Sequence, residues 1–300
     1  MGDAGTISFK TNAKINLFLR VVGRRQDGFH ELESIFHSVS LADDMRVSSS
    51  DTRGIDVAMR AAASALDGWP KKEGNLAYLA ARALQERNLL DRGVRIEIGK
   101  RIPMAGGMAG GSANAAGTLV AINDLYGLGL SQDELFDVAA SVGSDVPYCV
   151  VGGTALVMGR GETVTPLPAP AAMWFVLAMS DEPMITGEVY DAFDDVDDDG
   201  DEARSAPMAL ALGAGDVGEV ASLLHNDLEA GAYALRPGLR HDKEALLEAG
   251  CLGVGMTGSG PTLFGIVEGP EHGRRVTELI RHRFARVEVA LTAPACVEFG

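Results

Sequence analysis

The residues with the clearest chemical potential form a glycine-rich segment, PMAGGMAGGSAN, at positions 103–114. Four glycines lie within the six positions from Gly106 to Gly111, after a strand-like stretch and before an alanine-rich one. Glycine lets a ligand approach the main chain, and a helix N-terminus offers free N–H groups at a positive dipole end. The pattern therefore predicts an anion cradle, most often for phosphate, with the Ser112 hydroxyl within reach of a phosphate or its Mg²⁺.

Other interpretations of the glycine spacing explain less. A Walker A loop requires a lysine, and none lies in this segment, whereas a tight turn under a small-residue helix would need one glycine rather than four. The spacing of Gly253, Gly255 and Gly258 matches the dinucleotide fingerprint, but a helix-like stretch precedes it and a strand-like run follows it. That order is the reverse of a βαβ unit. We interpret residues 257–262 as a second glycine-rich turn that offers donors to an anion.

A lysine and an aspartate, far apart in the sequence, are candidates for the charged groups that phosphoryl transfer needs. Lys14 begins an alternating apolar stretch, and Asn16, two residues on, shares its face of a strand. A solvated strand face would explain this lysine equally well. Asp145 lies in the tight loop GSDVP at 143–147, where it is either a turn residue bonded to its own backbone or a positioned carboxylate.

A histidine near the N-terminus has an aromatic neighbour. His30 follows the turn at Gly28, and the ring of Phe29 stands beside it. A single histidine also fits an ordinary hydrogen-bonded residue, and the other histidines are not at metal-ligand spacing. Asn226 and Asp227 are typical of a capped helix start.

The elements that would position these residues mix strands and helices without a regular βαβ alternation, which favours an α+β fold. Residues Asn75–Asn88 have apolar side chains at helical spacing, and Ser131 with Glu134 forms a capping-box pattern before another helix. Predicted strands are Thr6–Phe9, Ile15–Val22, Val94–Ile98, Val150–Met158 and Thr262–Val267. Further predicted helices are Ala113–Leu125, Asp242–Ala249 and Gly273–Arg283.

The composition is that of an ordinary globular enzyme: the 300 residues are 46% hydrophobic and 23% charged, with a net charge of −16. So acidic a chain has no general attraction for nucleic acid or an anionic membrane. The cysteines, Cys149, Cys251 and Cys296, are odd in number and widely spaced, which argues against a disulfide framework or a zinc site. With no signal-peptide pattern and no apolar run of membrane-spanning length, we expect a cytoplasmic protein.

One segment is strongly acidic. Asp191–Glu202 has eight Asp or Glu among twelve residues, and we expect a solvated loop because charges this dense repel each other. Its register does not fit an EF-hand. A boundary between two halves is expected near Arg160–Pro170, where turn residues collect.

Taken together, these motifs resemble the GHMP kinase family in three places that follow the expected order. They are the lysine-containing strand Lys14–Leu19, the loop Pro103–Ser112 and the turn Gly258–Thr262. Shorter motifs narrow the resemblance to members that act on a cytidine diphosphate compound: AKINL at 13–17, RQDGFH at 25–30, GNL at 74–76, GSDVP at 143–147 and NDLE at 226–229.

The resemblance implies an α+β, two-domain GHMP kinase fold with the active site in the cleft between the domains. The ATP-binding domain would span residues 1–162 and the C-terminal domain residues 163–300. The implied reaction is ATP-dependent phosphorylation of the 2-hydroxyl of CDP-methylerythritol in non-mevalonate isoprenoid synthesis, with Mg²⁺ bridging the ATP oxygens. The implied partners are small molecules, with no nucleic acid and no membrane, and the chain would be a monomer or homodimer.

The resemblance also implies roles for particular residues. Asp145 would accept or orient the proton of the substrate hydroxyl, with Lys14 as its charge partner near the transferred phosphoryl. His30 would read the cytosine edge, Tyr190 would stack on cytosine, and Asn16, Phe29 and Thr186 would contact substrate. ATP contacts are implied for Asn75, Lys100, Pro103, Met104, Ala105, Gly106, Gly107, Met108, Ala109, Gly110, Gly111 and Ser112. The C-terminal glycine turn is Gly258, Ser259 and Gly260.

Three features depart from the family pattern. Phe29 stands where the family commonly has Tyr, so a hydroxyl and any hydrogen bond it made are lost. Ala113 stands where a second hydroxyl is common, so the coordination of Mg²⁺ would depend on Ser112 and water. The acidic run after Tyr190 is not part of the pattern.

Two other functions account for parts of the sequence. The same chemistry on mevalonate, homoserine or a sugar would leave the Gly28–His30 motif without a purpose. A nucleotide-binding regulatory protein without catalysis would not require both Lys14 and Asp145. A purely structural protein would leave the density of glycines unexplained.

Overall fold

The computed structural model describes residues 5–60, 72–168, 172–196 and 204–300. Helices pack against two β-sheets, which confirms the predicted α+β class. The first sheet contains β1 Thr6–Arg24, β2 His30–Ser50, β3 Ile55–Arg60, β4 Gly93–Gly99, β5 Thr154–Gly159, β6 Thr163–Pro166, β8 His225–Asn226 and β12 Val297–Phe299. The second contains β7 Trp174–Met179, β9 Gly253–Met256, β10 Leu263–Val267 and β11 Arg286–Leu291.

The helices occur in groups between the strands. They are α1 Leu76–Glu86, α2 Gly110–Tyr126, α3 Gln132–Val142, α4 Val146–Val151, α5 Thr186–Asp195, α6 Ser205–Ala214, α7 Val217–Ser222, α8 Leu228–Leu235, α9 Gly238–Glu248 and α10 Pro270–Ile280. Within the described ranges, no helix has the combined length and apolar character that crossing a bilayer requires.

The long antiparallel pair β1 and β2 is the backbone of the first sheet. Its register runs from Thr6 opposite Ser48 to Arg24 opposite His30, with irregularities that allow the pair to bend. The sheet order is β12-β1-β2-β4-β3, and β5 pairs with the early part of β2 while β8 runs parallel to β1. The second sheet is antiparallel in the order β11-β7-β10-β9.

The apolar core has three parts, and the period-two alternation of the strands divides residues between them. On β7, Phe175 and Leu177 face a central cluster between the two sheets, while Val176 faces an outer cluster under α8, α9 and α10. The central cluster also receives Ile15 and Leu17 from β1. A third cluster lies between the first sheet and α1 to α4. The core therefore fixes β1 between the two halves of the chain.

Local sequence signals explain how the helices start. Asn75 caps α1, since its Oδ1 accepts hydrogen bonds from the N–H groups of Ala77 and Tyr78 at 2.9 and 3.4 Å. The predicted capping box of Ser131 and Glu134 is present at the start of α3. In α2, a Cβ on Gly117 would lie 2.5 Å from the Phe9 ring, so its small residues let this helix approach β1 closely.

Three sequence predictions of local structure are wrong in part. The two strands predicted at Thr6–Phe9 and Ile15–Val22 are one strand, β1, because the intervening polar residues also pair with β2. The strand predicted from Val150 begins only at Thr154, because the residues before it form α4, whose start carries Pro147 and whose end is Gly152 at φ +69°.

The acidic run is not a loop throughout. Its first five residues belong to α5, which Val189 anchors in the outer core, and residues 197–203 lie outside the described ranges. The boundary expected between residues 162 and 163 stays a prediction. The strands β6, β8 and β12, which follow it in the sequence, all pair within the first sheet.

Candidate active site

A cavity of about 830 Å³ lies where the two halves of the chain meet. It is bordered by β1, the start of β2, the glycine-rich loop, the Asp145 turn, α5 and the turn after β9. The predicted site residues that line it are Lys14, Asn16, Phe29, His30, Asn75, Lys100, Pro103, Met104, Ala105, Gly106, Gly107, Met108, Ala109, Gly110, Gly111, Ser112, Asp145, Thr186, Tyr190, Gly258 and Ser259. Gly260 is the next residue in the chain but does not line the cavity.

Lys14 and Asp145 face each other in this cavity. Lys14 Nζ lies 4.0 Å from Asp145 Oδ2, and the lysine is buried while the aspartate side chain is one-third exposed, at 33%. Burial lowers the pKa of Lys14, and the charge of Asp145 opposes that decrease. The ammonium group also lies 4.5 Å from the centre of the Phe36 ring. The pair therefore combines a fixed cation with a carboxylate that a ligand can reach.

Asn16 connects Lys14 to the C-terminal glycine turn. Its Oδ1 accepts hydrogen bonds from Lys14 Nζ at 2.7 Å and the Gly258 N–H at 2.8 Å, and it lies 3.1 Å from the Thr257 hydroxyl oxygen. Its Nδ2 donates to Ser34 Oγ at 2.9 Å. The amide nitrogen thus holds β1 against β2, and the amide oxygen holds β1 against the C-terminal glycine turn.

We expect Asn16→Ala to lower both stability and turnover, whereas Asn12→Ala lowers stability alone. Both asparagines are buried on β1, but the Asn12 amide donates to Ala295 and Glu298, away from the cavity. Each change leaves buried or partly buried partners unpaired and should cost about 1–3 kcal/mol in the free energy of unfolding, measured by urea denaturation. Only the loss of Asn16 frees Lys14, and we expect kcat/KM to fall at least about tenfold. Equal turnover of the two variants would contradict this role.

The two glycine-rich turns touch each other. Gly107 adopts φ +74°, and its carbonyl accepts a hydrogen bond from the Thr257 hydroxyl at 3.0 Å. A Cβ on Gly107 would lie 2.0 Å from the Thr257 carbonyl oxygen, so only glycine allows this contact. The two turns, 150 residues apart in the sequence, therefore form one continuous wall of the cavity.

The start of α2 has the geometry of an anion cradle. Ala109 precedes the helix in the left-handed region at φ +52°, and no side chain of the described residues caps the helix start. Lys100 brings a cation there, since a Cβ on Gly110 would lie 2.7 Å from Lys100 Nζ. Asp43 Oδ2 accepts a hydrogen bond from Lys100 Nζ at 2.5 Å, and Asp43 Oδ1 accepts hydrogen bonds from two backbone N–H groups. Burial lowers the pKa of Lys100, and Asp43 opposes the decrease.

Aromatic and charged groups form the opposite end of the cavity. The His30 ring is stacked on Tyr190 with 4.7 Å between ring centres, and His30 Nε2 lies 2.8 Å from Asp194 Oδ1. Burial raises the pKa of Tyr190, and the charge of Asp145 adds to this effect. Phe29 is half-exposed, and the Arg160 guanidinium lies 3.6 Å from its ring centre.

The C-terminal turn is held from both sides. Thr186 Oγ1 lies 3.0 Å from Ser259 Oγ, which joins the start of α5 to the turn. Asn226 donates hydrogen bonds to the carbonyls of Met256 and Gly258 at 2.7 and 2.9 Å. Asn226 Oδ1 also accepts a hydrogen bond from the first N–H of α8 at 3.0 Å, so Asn226 contacts both the helix start and the turn, whereas the N-cap residue, Asp227, makes no side-chain cap bond.

The contacts of several residues in this region are not evident from the sequence. Asp43 belongs to no motif, and Thr257 begins the turn predicted at residues 257–262, but only the tertiary structure shows the contacts that the two residues make. Arg24 and Arg160 also line the cavity. Arg160 lies within the turn-rich segment expected to be a boundary, and Arg24 lies next to the RQDGFH motif, which is the one signal that points to it.

Comparisons with known proteins agree with this architecture. The description "GHMP kinases N terminal domain" matches residues 75–153, and "GHMP kinases C terminal" matches residues 208–285. The fold and the two matches define the class: this chain belongs to the GHMP kinase family, as its motifs predicted.

The similarity within the family is specific. The 4-diphosphocytidyl-2-C-methyl-D-erythritol kinase of Shouchella clausii is 42% identical over 275 residues, which are 91% of this chain and 90% of the relative. The kinase of the same name from Mycobacterium tuberculosis is 41% identical over 261 residues, 86% of this chain and 81% of the relative. A crystal structure of 4-(cytidine 5'-diphospho)-2C-methyl-D-erythritol kinase superposes with a TM-score of 0.78 at 32% identity, covering 98% of this chain and 100% of the other.

Proposed function

We propose that this protein transfers the γ-phosphoryl group of ATP to the 2-hydroxyl of 4-diphosphocytidyl-2-C-methyl-D-erythritol, giving the 2-phosphate and ADP in the non-mevalonate pathway to isoprenoid precursors. The observation that carries the proposal is the Lys14–Asp145 pair on the wall of a cavity that also contains the glycine-rich loop. We take the identity of the substrate from the names of the relatives, and the chemistry of the cavity is compatible with that substrate.

In the proposed step, the substrate hydroxyl oxygen forms a bond to the γ-phosphorus while the bond from that phosphorus to the bridging oxygen of ADP breaks. Asp145 accepts the hydroxyl proton, and its partial exposure gives substrate access to the carboxylate. The contacts of Lys14 with Asn16 and Asp145 favour its charged form, in which it stabilises negative charge on the transferred group. Holding both substrates in one cavity supplies much of the remaining rate enhancement.

The residues around the start of α2 fit a nucleotide triphosphate. Free backbone N–H groups, the left-handed Ala109 and the nearby Lys100 ammonium together favour an anion. No cluster of three acidic, histidine or cysteine ligands for a metal occurs in the parts of the chain that the structure describes. Mg²⁺ would therefore be held by phosphate oxygens, water and the Ser112 hydroxyl, and it would neutralise phosphate charge when bound.

The proposal predicts which alcohols support ADP release from Mg-ATP. We expect release with CDP-methylerythritol and none above background with mevalonate, homoserine or galactose, because the His30–Tyr190 end of the cavity is suited to a base. A coupled assay for ADP measures all four. Release with another alcohol would retain phosphoryl transfer but contradict the proposed substrate, and absence of release with all four would contradict a kinase function.

A further inference from the structure

One acidic residue of the run that follows Tyr190, Asp194, contacts His30 at the aromatic end of the cavity. Asp194 lies four residues after Tyr190 on α5, so the two side chains share a face of the helix. Tyr190 stacks against the His30 ring, while Asp194 Oδ1 lies 2.8 Å from His30 Nε2. The histidine is thus held by its face and by its edge from the same helix.

We infer that Asp194 is a positioning residue that fixes the orientation and tautomer of His30, and thereby selects cytidine over uridine diphosphate compounds. This inference is based on the proposed function, because it concerns how the base of that substrate is recognised. It gives the acidic run, which departs from the family pattern, a specific role at one position.

The hydrogen-bonding chemistry of the carboxylate and the imidazole determines the tautomer of His30. An ionised carboxylate only accepts hydrogen bonds, so His30 Nε2 must carry the proton that it shares with Asp194. In neutral imidazole the other nitrogen, Nδ1, then holds a lone pair and acts as an acceptor. Nδ1 has no hydrogen-bond partner among the described residues, and His30 lines the cavity.

An acceptor at this position distinguishes the two pyrimidines. Cytosine carries an amino donor at the ring position where uracil carries a carbonyl acceptor. Nδ1 of His30 can therefore accept a hydrogen bond from cytosine, whereas two acceptors would face each other with uracil. Without Asp194, the proton is free to occupy either ring nitrogen, and this discrimination weakens.

Charge balance around Asp194 is consistent with a role beside an anionic substrate. Arg24 Nη1 lies 3.3 Å from Asp194 Oδ2, so the carboxylate is bound by the arginine on one oxygen and by the histidine on the other. The arginine offsets a negative charge that would otherwise repel a diphosphate. Both partners come from the ends of β1 and β2, so Asp194 also connects α5 to that hairpin.

The test is calorimetric titration of CDP and UDP into the full-length protein and its Asp194→Ala variant, with Mg-ADP as a third ligand. We expect the variant to bind CDP about ten- to a hundredfold more weakly, to bind UDP within about twofold of the unchanged protein, and to bind Mg-ADP normally. Asp195→Ala is the matched control, since Asp195 is exposed on the same helix and does not line the cavity. Asp194→Glu should restore part of the preference for CDP.

A second measurement reports the tautomer directly. The ¹⁵N signals of the His30 imidazole are assigned by their absence in the His30→Gln variant. They should show a single tautomer in the unchanged protein and a mixture of the two tautomers in Asp194→Ala. Asp194→Asn, which keeps the shape, replaces the alanine variant if that one is unstable. Unchanged CDP preference in these variants, or an equal loss of affinity for all three ligands, would overturn the inference alone. Failure of the unchanged protein to bind CDP would overturn the proposed function together with it.

Discussion

Asp145→Asn is expected to reduce kcat by about 10²- to 10⁴-fold, the usual contribution of a positioned general base. The substitution keeps the size of the side chain but removes its capacity to accept a proton from the substrate hydroxyl. Lys14 would remain in place, because Asn16 Oδ1 accepts its hydrogen bond at 2.7 Å independently of Asp145. ATP affinity should therefore change little, since the cradle at the start of α2 does not involve Asp145.

Single-turnover kinetics, combined with titration of a non-hydrolysable ATP analogue, separates these two effects. Asp137→Asn is a suitable control, because it makes the same chemical change at an exposed position of α3 away from the cavity. A variant that retained kcat within about tenfold, equivalent to about 1.4 kcal/mol of barrier, would show that Asp145 is not the proton acceptor.

The sequence was most informative where local rules decide the structure. The capping box at Ser131, the helix predicted at Asn75–Asn88 and the helix after the glycine-rich loop all depend on residues a few positions apart, and all are present. The residues expected to form the site also converge on one cavity, because the motifs that identify a family mark the same turns and strands in its members.

Predictions were weaker where contacts span the chain. An apolar run such as Val146–Val151 is equally compatible with a buried strand and a buried helix, and the short helix α4 depended on its Pro and Gly boundaries. The dense charge of Asp191–Glu202 predicts repulsion and a loop. The contacts of Asp194 are not evident from the sequence, because its partners Arg24 and His30 lie 170 and 164 residues earlier in the chain. Likewise, nothing in the sequence indicates that Thr257 bonds to Gly107.

The contact between the glycine turns leads to the second large expected effect. Gly107→Ala should weaken ATP binding by at least about tenfold and lower kcat/KM further, because the substitution strains the loop in one way and displaces it in another. The left-handed φ of +74° costs a side chain about 1–2 kcal/mol. In addition, the new Cβ would lie 2.0 Å from the Thr257 carbonyl oxygen. A change of rotamer cannot relieve this collision, because the Cβ is bonded directly to the backbone and the carbonyl oxygen is part of it.

A second glycine separates these causes. Gly129 has a similar φ of +69°, but a Cβ at this position would meet no atom within 4 Å, so Gly129→Ala carries the backbone cost without the collision. We expect both variants to lose a similar amount of stability from the φ change, and only Gly107→Ala to lose ATP affinity, because relief of its collision must move the loop away from the C-terminal turn. Titration of an ATP analogue and urea unfolding of both variants measure this difference. Equal ATP affinity in the two would mean that the cradle does not depend on contact between the turns.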